Sequence, residues 1–220
     1  MVCTYADELC ENIPVLVFLG IGIMEFAPLN EQALRQLFTE AHTAHAFLSR
    51  PIAESTVRQL YELACLGPTA FNAQPARFVF IRTEAGKERL IPALSPGNVP
   101  QVQSAPLTVI VAYDLDFHQH LPRVFKGYDA KPIYENAPEL AESVAFRNGT
   151  LQGAYLLMAA RALGLSAGPM SGFDVGKVDQ AFFPEGRIRT NFLMNVGYPD
   201  PAGMFPRNER LGFAEAVTLA

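Results

Sequence analysis

Cysteine is scarce in this 220-residue chain: Cys3, Cys10 and Cys65, an odd number with no paired spacing. No disulfide framework is expected. Charge is also sparse, at 18% of residues, and lacks a basic excess: 17 Lys and Arg against 22 Asp and Glu give a net charge of −5. Without a global positive field, non-specific binding to nucleic acid or to an anionic membrane surface is excluded. Free thiols with an acidic balance point to a reducing cytoplasm. Long apolar runs are missing too. The longest, Ile13 to Met24, has about half the ~20 residues a membrane span needs. Met1 to Pro14 carries Asp7, Glu8 and Glu11 but no Lys or Arg, so it has no positive region of a signal peptide.

Familiar chemical motifs are absent as well. Gly20-Ile21-Gly22 starts a dinucleotide fingerprint, yet no third glycine follows at the required spacing. No glycine-rich loop ends in Lys-Ser/Thr, and no serine sits in a nucleophile elbow. The four histidines fall in two pairs, His42-x-x-His45 and His118-x-His120, with no acidic or cysteine ligand beside them at a helpful spacing. No metal is expected.

What is present is apolar: half of the residues are hydrophobic, enough for a sizeable core. Residues 1–23 read as an extension outside the folded core, or as an arm that packs on a neighbour. Residues 24–220 read as one domain, with no repeat or linker. Asn30 can cap a helix with Ala33, Leu34, Leu37, Phe38 and Ala41 on one face. A second helix spans about Glu54 to Leu66, with Val57, Leu60, Tyr61, Ala64 and Cys65 as its stripe, stopped by Gly67-Pro68. Phe78–Ile81, Leu107–Tyr113 and Phe192–Val196 read as strands, and a long helix runs from about Ala141 to Leu163, closed by Gly164. Asp116 to Pro138, rich in Pro, Gly and aromatics, reads as a long connection acting as a cover or mobile loop. Helices between strands indicate mixed α and β structure.

Three stretches stand out. Gly67-Pro68-Thr69-Ala70-Phe71-Asn72-Ala73-Gln74-Pro75 joins a helix end to a strand. By itself it is either an ordinary turn or a pair of carboxamides offered to the alternating donor and acceptor edge of a heterocycle. Gly164 to Phe173 has glycines and a proline that let backbone approach a ligand closely. Arg207 and Arg210, three apart, either converge on a phosphate or belong to a solvated tail.

In this order the stretches resemble the nitroreductase family of FMN-dependent oxidoreductases. Pro68-Thr69-Ala70-Phe71-Asn72-Ala73-Gln74-Pro75 and Pro169-Met170-Ser171-Gly172-Phe173 carry the likeness, which runs from about Met24 to Ala220. Gly67-Pro68-Thr69, Pro75 to Thr83 with Ala76, Glu84 to Leu90, Ala145 to Asn148 and Gly168 to Asp174 are most similar to its HadB/RutE branch, whose named member is a malonic semialdehyde reductase. The resemblance implies an α+β fold: a central, mainly antiparallel sheet flanked by helices, in an intertwined homodimer with two FMN sites built from both chains.

It also implies roles. His42, Thr43 and His45 would face the phosphate and ribityl chain. Pro68, Thr69, Ala70 and Asn72 would come from the partner chain. Asn98 would read the pyrimidine edge of the flavin. Pro169, Met170, Ser171 and Gly172 would lie against the ring, with a backbone N–H near Met170 or Ser171 donating to flavin N5. Arg207 and Arg210 would hold the phosphate. His45 would add charge near the N1/O2 edge. NADH or NADPH would donate hydride in a ping-pong cycle, and a nitroaromatic, a quinone or an aldehyde such as malonic semialdehyde would accept it. A non-catalytic flavin-binding protein is the alternative of another class. In Asp116 to Pro138, Phe117, Phe125, Tyr128 and Tyr134 are candidate wall residues, and Arg123, Lys126 and Lys131 candidate carboxylate contacts. One departure matters: the family favours arginines where this chain has His42 and His45, and histidine does not hold its charge as pH rises.

Overall fold

Apolar periodicity and turn chemistry lay out the chain in order. The computed structural model describes residues 27–220, of which Glu31–Ala220 form one compact unit. The expected extension 1–23, with Ile13 to Met24, Gly20-Ile21-Gly22, Cys3 and Cys10, lies outside the described residues. Helix α1 (Glu31–Leu34) widens into a π-helical turn over Arg35–Thr39. Helix α2 (Glu54–Ala64) buries Val57, Leu60 and Ala64, as its stripe predicts, while Tyr61 stays exposed. Strand β1 (Ala76–Ile81) leads to α3 (Glu84–Leu90), capped by the Thr83 hydroxyl accepting from the Gly86 amide. Then come α4 (Val99–Ser104), β2 (Leu107–Asp114), α5 (Leu121–Val124) and α6 (Lys131–Glu135). The long α7 (Pro138–Ala162) follows, and Gly164 just beyond it takes φ +74°, the left-handed stop the sequence predicts. Strand β3 (Ser166–Met170), α8 (Val175–Phe182), β4 (Ile188–Gly197) and α9 (Phe213–Ala216) complete the fold.

The four strands form one sheet in the order β1-β2-β4-β3, antiparallel throughout. Strand β2 is buried at every residue, which suits an unbroken β-branched run covered on both faces. On one face Leu107, Val109, Val111, Met194 and Val196 pack with Leu60 of α2 and Leu156 and Ala160 of α7. On the other, Ile110, Ala112 and Leu193 meet Leu90 of α3, Val102 of α4 and Val178 of α8. The result is three layers, helices on both faces of an antiparallel sheet. No helix among the described residues is long and apolar enough to cross a membrane.

One expectation is corrected. Asp116 to Pro138 is not a loose loop. It folds as a 3₁₀ turn (Phe117–His120), α5 and α6, because Phe117, Leu121, Ala130 and Tyr134 are buried against Ala141 and Ala145 of α7. These anchors recur often enough to fix the segment as a wall. The glycine-rich stretch Gly164–Phe173 holds strand β3 over Ser166–Met170, whose Gly168-Pro169 weakens any strand signal in the sequence.

Leu156 is fully buried between α7 and the sheet. Leu156→Ala is expected to lower unfolding stability by about 2–5 kcal/mol, measured by urea denaturation followed by far-ultraviolet circular dichroism.

Candidate functional site

Strand β3 is one edge of the sheet, and most of the sequence-predicted residues gather along it. Over its start lies the segment 42–47, whose Ala44 amide donates to Ala167 O at 3.4 Å. The approach is so close that a Cβ on Gly168 would collide with the Ala44 carbonyl oxygen; glycine is required there. The His45 amide donates to Gly203 O at 3.1 Å, and the His45 ring meets Phe205 edge-on at 5.2 Å. Past the strand end, Asn98 Nδ2 donates to Gly172 O at 2.8 Å, as does the Ser95 amide at 3.0 Å. Asn98 therefore does meet the Pro169–Gly172 stretch. The backbone N–H groups of Ser171 and Gly172 have no acceptor among the described residues.

The basic groups sort themselves differently from expectation. Arg207 Nη2 donates to Phe38 O, Thr39 O and Ala41 O, at 3.0, 3.1 and 2.7 Å, so it caps the π-helical turn just before His42. Arg161, in the last turn of α7, donates to Leu37 O at 2.8 Å. Burial first, and Arg207 second, push the Arg161 guanidinium below its usual range. Glu40 is engaged by Arg35, so the Arg161–Arg207 pair faces no carboxylate partner among the described residues. His42 Nδ1 bonds to Phe205 O at 3.0 Å. Arg210 donates only to Asn208 O and Glu209 O and does not join this group. Arg161 escaped the sequence reading because one arginine near a helix end is unremarkable until the fold brings it to Arg207.

The Pro68–Gln74 turn sits elsewhere, at the start of β1 on the opposite edge. Its backbone is strained: Phe71, Asn72 and Gln74 take φ of 52°, 51° and 45°. Left-handed conformations cost on the order of 1–3 kcal/mol each for such residues, least for Asn. Helix α7 supplies the restraint. Buried Asn148 and Gln152, one helical turn apart, accept from the Ala70 amide at 2.8 Å and the Ala76 amide at 2.9 Å. Within the turn, the Gln74 amide donates to Thr69 Oγ1 at 3.2 Å, and Gln74 Nε2 donates to Asn72 Oδ1 at 3.0 Å. Asn72 Nδ2 donates to Val124 O of α5 at 2.8 Å. Phe71 packs its ring against Phe125, Tyr128 and Tyr134. The carboxamides the sequence singles out thus hold the turn, and Pro68 and Ala70 are left exposed beside it. Asn148 and Gln152 carry no sequence signal of their own beyond four-residue spacing. Among the described residues, no three His, Cys, Asp or Glu gather as a metal site.

Removing the Asn148 acceptor leaves the Ala70 amide unpaired. Asn148→Leu is expected to cost about 1–3 kcal/mol, with faster hydrogen exchange at the Ala70 amide. Exchange unchanged at Ala70 would mean that the turn is held by something else.

The comparisons with known proteins follow the same lines. The family model described as Nitroreductase family matches residues 39–198. A Stenotrophomonas maltophilia protein with the provisional name NADH dehydrogenase/NAD(P)H nitroreductase is 53% identical over 192 residues, 87% of this chain and 98% of that one. A Xanthomonas oryzae pv. oryzae protein of the same provisional name is 56% identical over 189 residues, 86% of this chain and 96% of that one. A provisionally named nitroreductase of Exiguobacterium sibiricum, solved in complex with FMN, has the same fold: TM-score 0.75 at 21% identity, covering 89% of this chain and 99% of that chain. By sequence and by fold, the chain belongs to the nitroreductase family.

Proposed function

We propose that this chain is an FMN-dependent NAD(P)H oxidoreductase acting as a homodimer, with two flavin sites each built from both copies. The observation that carries the reading is the split of the expected site. The Pro68–Asn72 turn adjoins β1, while His42–His45, Asn98, Pro169–Gly172 and Arg207 lie along β3. Two strands separate these edges, about 14 Å at the usual strand spacing. A second copy that lays its Pro68–Asn72 turn beside the β3 end closes both halves on one ligand without any change in the sheet. Among the described residues, apolar side chains stay exposed at Leu34 and Phe38, Phe146 and Leu151 of α7, and Leu211 and Phe213 of the C-terminal segment.

The residues fit a flavin phosphate. The free Ser171 and Gly172 amides can donate to the ring, in keeping with a contact from the Met170–Ser171 backbone to N5. Arg207, with Arg161 and His42 beside it, suits a phosphate in the absence of any acid partner. When bound, FMN supplies hydride transfer from a nicotinamide to an acceptor, so no side-chain nucleophile is needed. The protein's work is to bind, orient and screen. His45 remains the candidate for charge at the N1/O2 edge, and Thr43 for the ribityl chain. The relatives' names favour NAD(P)H as donor. The acceptor is a small nitroaromatic, quinone or aldehyde; the branch likeness makes reduction of malonic semialdehyde to 3-hydroxypropionate the specific alternative.

Purified protein is expected to be yellow, with a band near ~450 nm bleached by NADH or NADPH, and to sediment at twice the 24.1 kDa chain mass. A yellow protein that neither nicotinamide bleaches would be a flavin-binding protein without this activity. A colourless monomer that rejects added FMN would overturn the reading.

A second prediction concerns His42. Phe205 O can only accept, so His42 Nδ1 carries the proton of that bond. The neutral ring then presents a lone pair at Nε2, and only imidazolium can donate to a phosphate. FMN affinity is therefore expected to be higher in acid than in alkaline buffer, with a flatter profile in His42→Gln. Parallel profiles would remove His42 from the phosphate site.

A further inference from the structure

A cavity of about 520 Å³ opens between the strained turn and the wall segment, walled by Tyr61, Phe78 and Phe80 and floored by Gln152. Ala73 and Gln74 of the turn and Val124 of α5 also line it. Several of its polar groups are donors without a partner of their own. Arg123 and His120 line it and have no partner among the described residues. Gln152 is buried, spends its Oε1 on the Ala76 amide, and has an Nε2 without a partner there. No carboxylate lines the cavity. Arg77, the remaining cation, is already satisfied by buried Asp114 at 2.6 Å, which also takes Arg187 at 3.0 Å. The other cations of the wall are occupied elsewhere: Lys131 pairs with Glu135 at 3.3 Å, and Lys126 donates to Pro122 O at 2.9 Å. In a chain of net charge −5, an aromatic-walled cleft with an uncommitted arginine, an unpartnered imidazole beside it and no acid is suited to an anion.

We propose that this cavity is a subsite for an organic carboxylate of aromatic size, with Arg123 and His120 on the carboxylate and Phe78, Phe80 and Tyr61 around the apolar body. The inference rests on the flavin reading above, because the turn that lines the cavity is the one assigned to the flavin; it names the class of acceptor. Size separates it from a three-carbon acid. Clefts of some 300–1,000 Å³ enclose drug-sized ligands, and a three-carbon chain would leave the aromatic walls untouched. Arg123 offers a planar fork that matches a carboxylate, and it lies on the exposed side of α5, so its replacement does not disturb the core.

The test uses 4-nitrobenzoate, nitrobenzene and 3-hydroxypropionate as probes of the purified protein, by equilibrium dialysis. Wild type is expected to bind 4-nitrobenzoate about tenfold or more tightly than nitrobenzene, and more tightly than 3-hydroxypropionate. Arg123→Gln should erase the preference over nitrobenzene, and Arg123→Lys should keep most of it. In turnover with NAD(P)H, the ratio of kcat/KM for 4-nitrobenzoate to that for nitrobenzene should drop by about the same factor in Arg123→Gln. Equal binding of the two aromatics by wild type, or an Arg123→Gln ratio like wild type, would overturn the carboxylate subsite. Equal binding of 3-hydroxypropionate would overturn the size class. If 4-nitrobenzoate binds as expected but no nicotinamide bleaches the protein, the flavin reading fails and the subsite stands. Bleaching without carboxylate preference sinks the subsite alone.

Discussion

Strand β2, buried on both faces, holds the two edges of the sheet a fixed distance apart, and most of what this protein can do follows from that separation. Antiparallel pairing through β2 and β4 leaves no freedom for β1 and β3 to approach each other. The strained turn belongs to one edge, and the glycine-rich strand end with its basic neighbours belongs to the other. In the proposed dimer, a flavin gripped by two chains takes one edge from each. The exposed apolar residues of α7 and the C-terminal segment are the surface such pairing would bury.

Helix α7 is the second structural support. Its inward face fills the core through Leu156, Ala159 and Ala160, and a little earlier presents Asn148 and Gln152 to the turn. Its last turn presents Arg161 to the Leu37 carbonyl, ahead of His42. One rigid element thus restrains both edges. Left-handed backbone at Phe71, Asn72 and Gln74 would relax if the buried amides of α7 were lost. The wall segment joins the same system through the Asn72–Val124 hydrogen bond and the rings around Phe71, which ties the cavity to the turn.

Much of this fold was legible in the sequence where one signal dominated. The stripe of α2, the β-branched run of β2 and the length of α7 each follow from periodicity, and Gly164 marks its stop. Strand β3 was not legible, since Gly168 and Pro169 weaken strand propensity, and Gly168 is where Ala44 approaches too closely for a side chain. The segment 117–135 read as loop because its anchors are spaced for short helices, not for one long period. Of the site, the turn and the strand end stood out through unusual composition. Asn148, Gln152 and Arg161 did not, because their roles arise only when the helix is laid across the sheet. Arg207 and Arg210 looked alike in sequence and part company in space: one caps the turn before His42, the other stays with its own loop.

The central claim is that each site is shared between copies, and mixed dimers test it most directly. One copy would carry Asn148→Leu, which frees the turn. The other would carry Gly172→Leu, whose side chain would press on Asn98 Nδ2, 2.6 Å from the position of its Cβ. Each variant alone should bind little FMN. After joint refolding, half of the dimers are mixed and each mixed dimer has one intact site, so FMN content should recover to about a quarter of wild type. Recovery to that level is what shared sites require. FMN content that stays at the level of the separate variants, with mixed dimers verified by mass, would contradict the account.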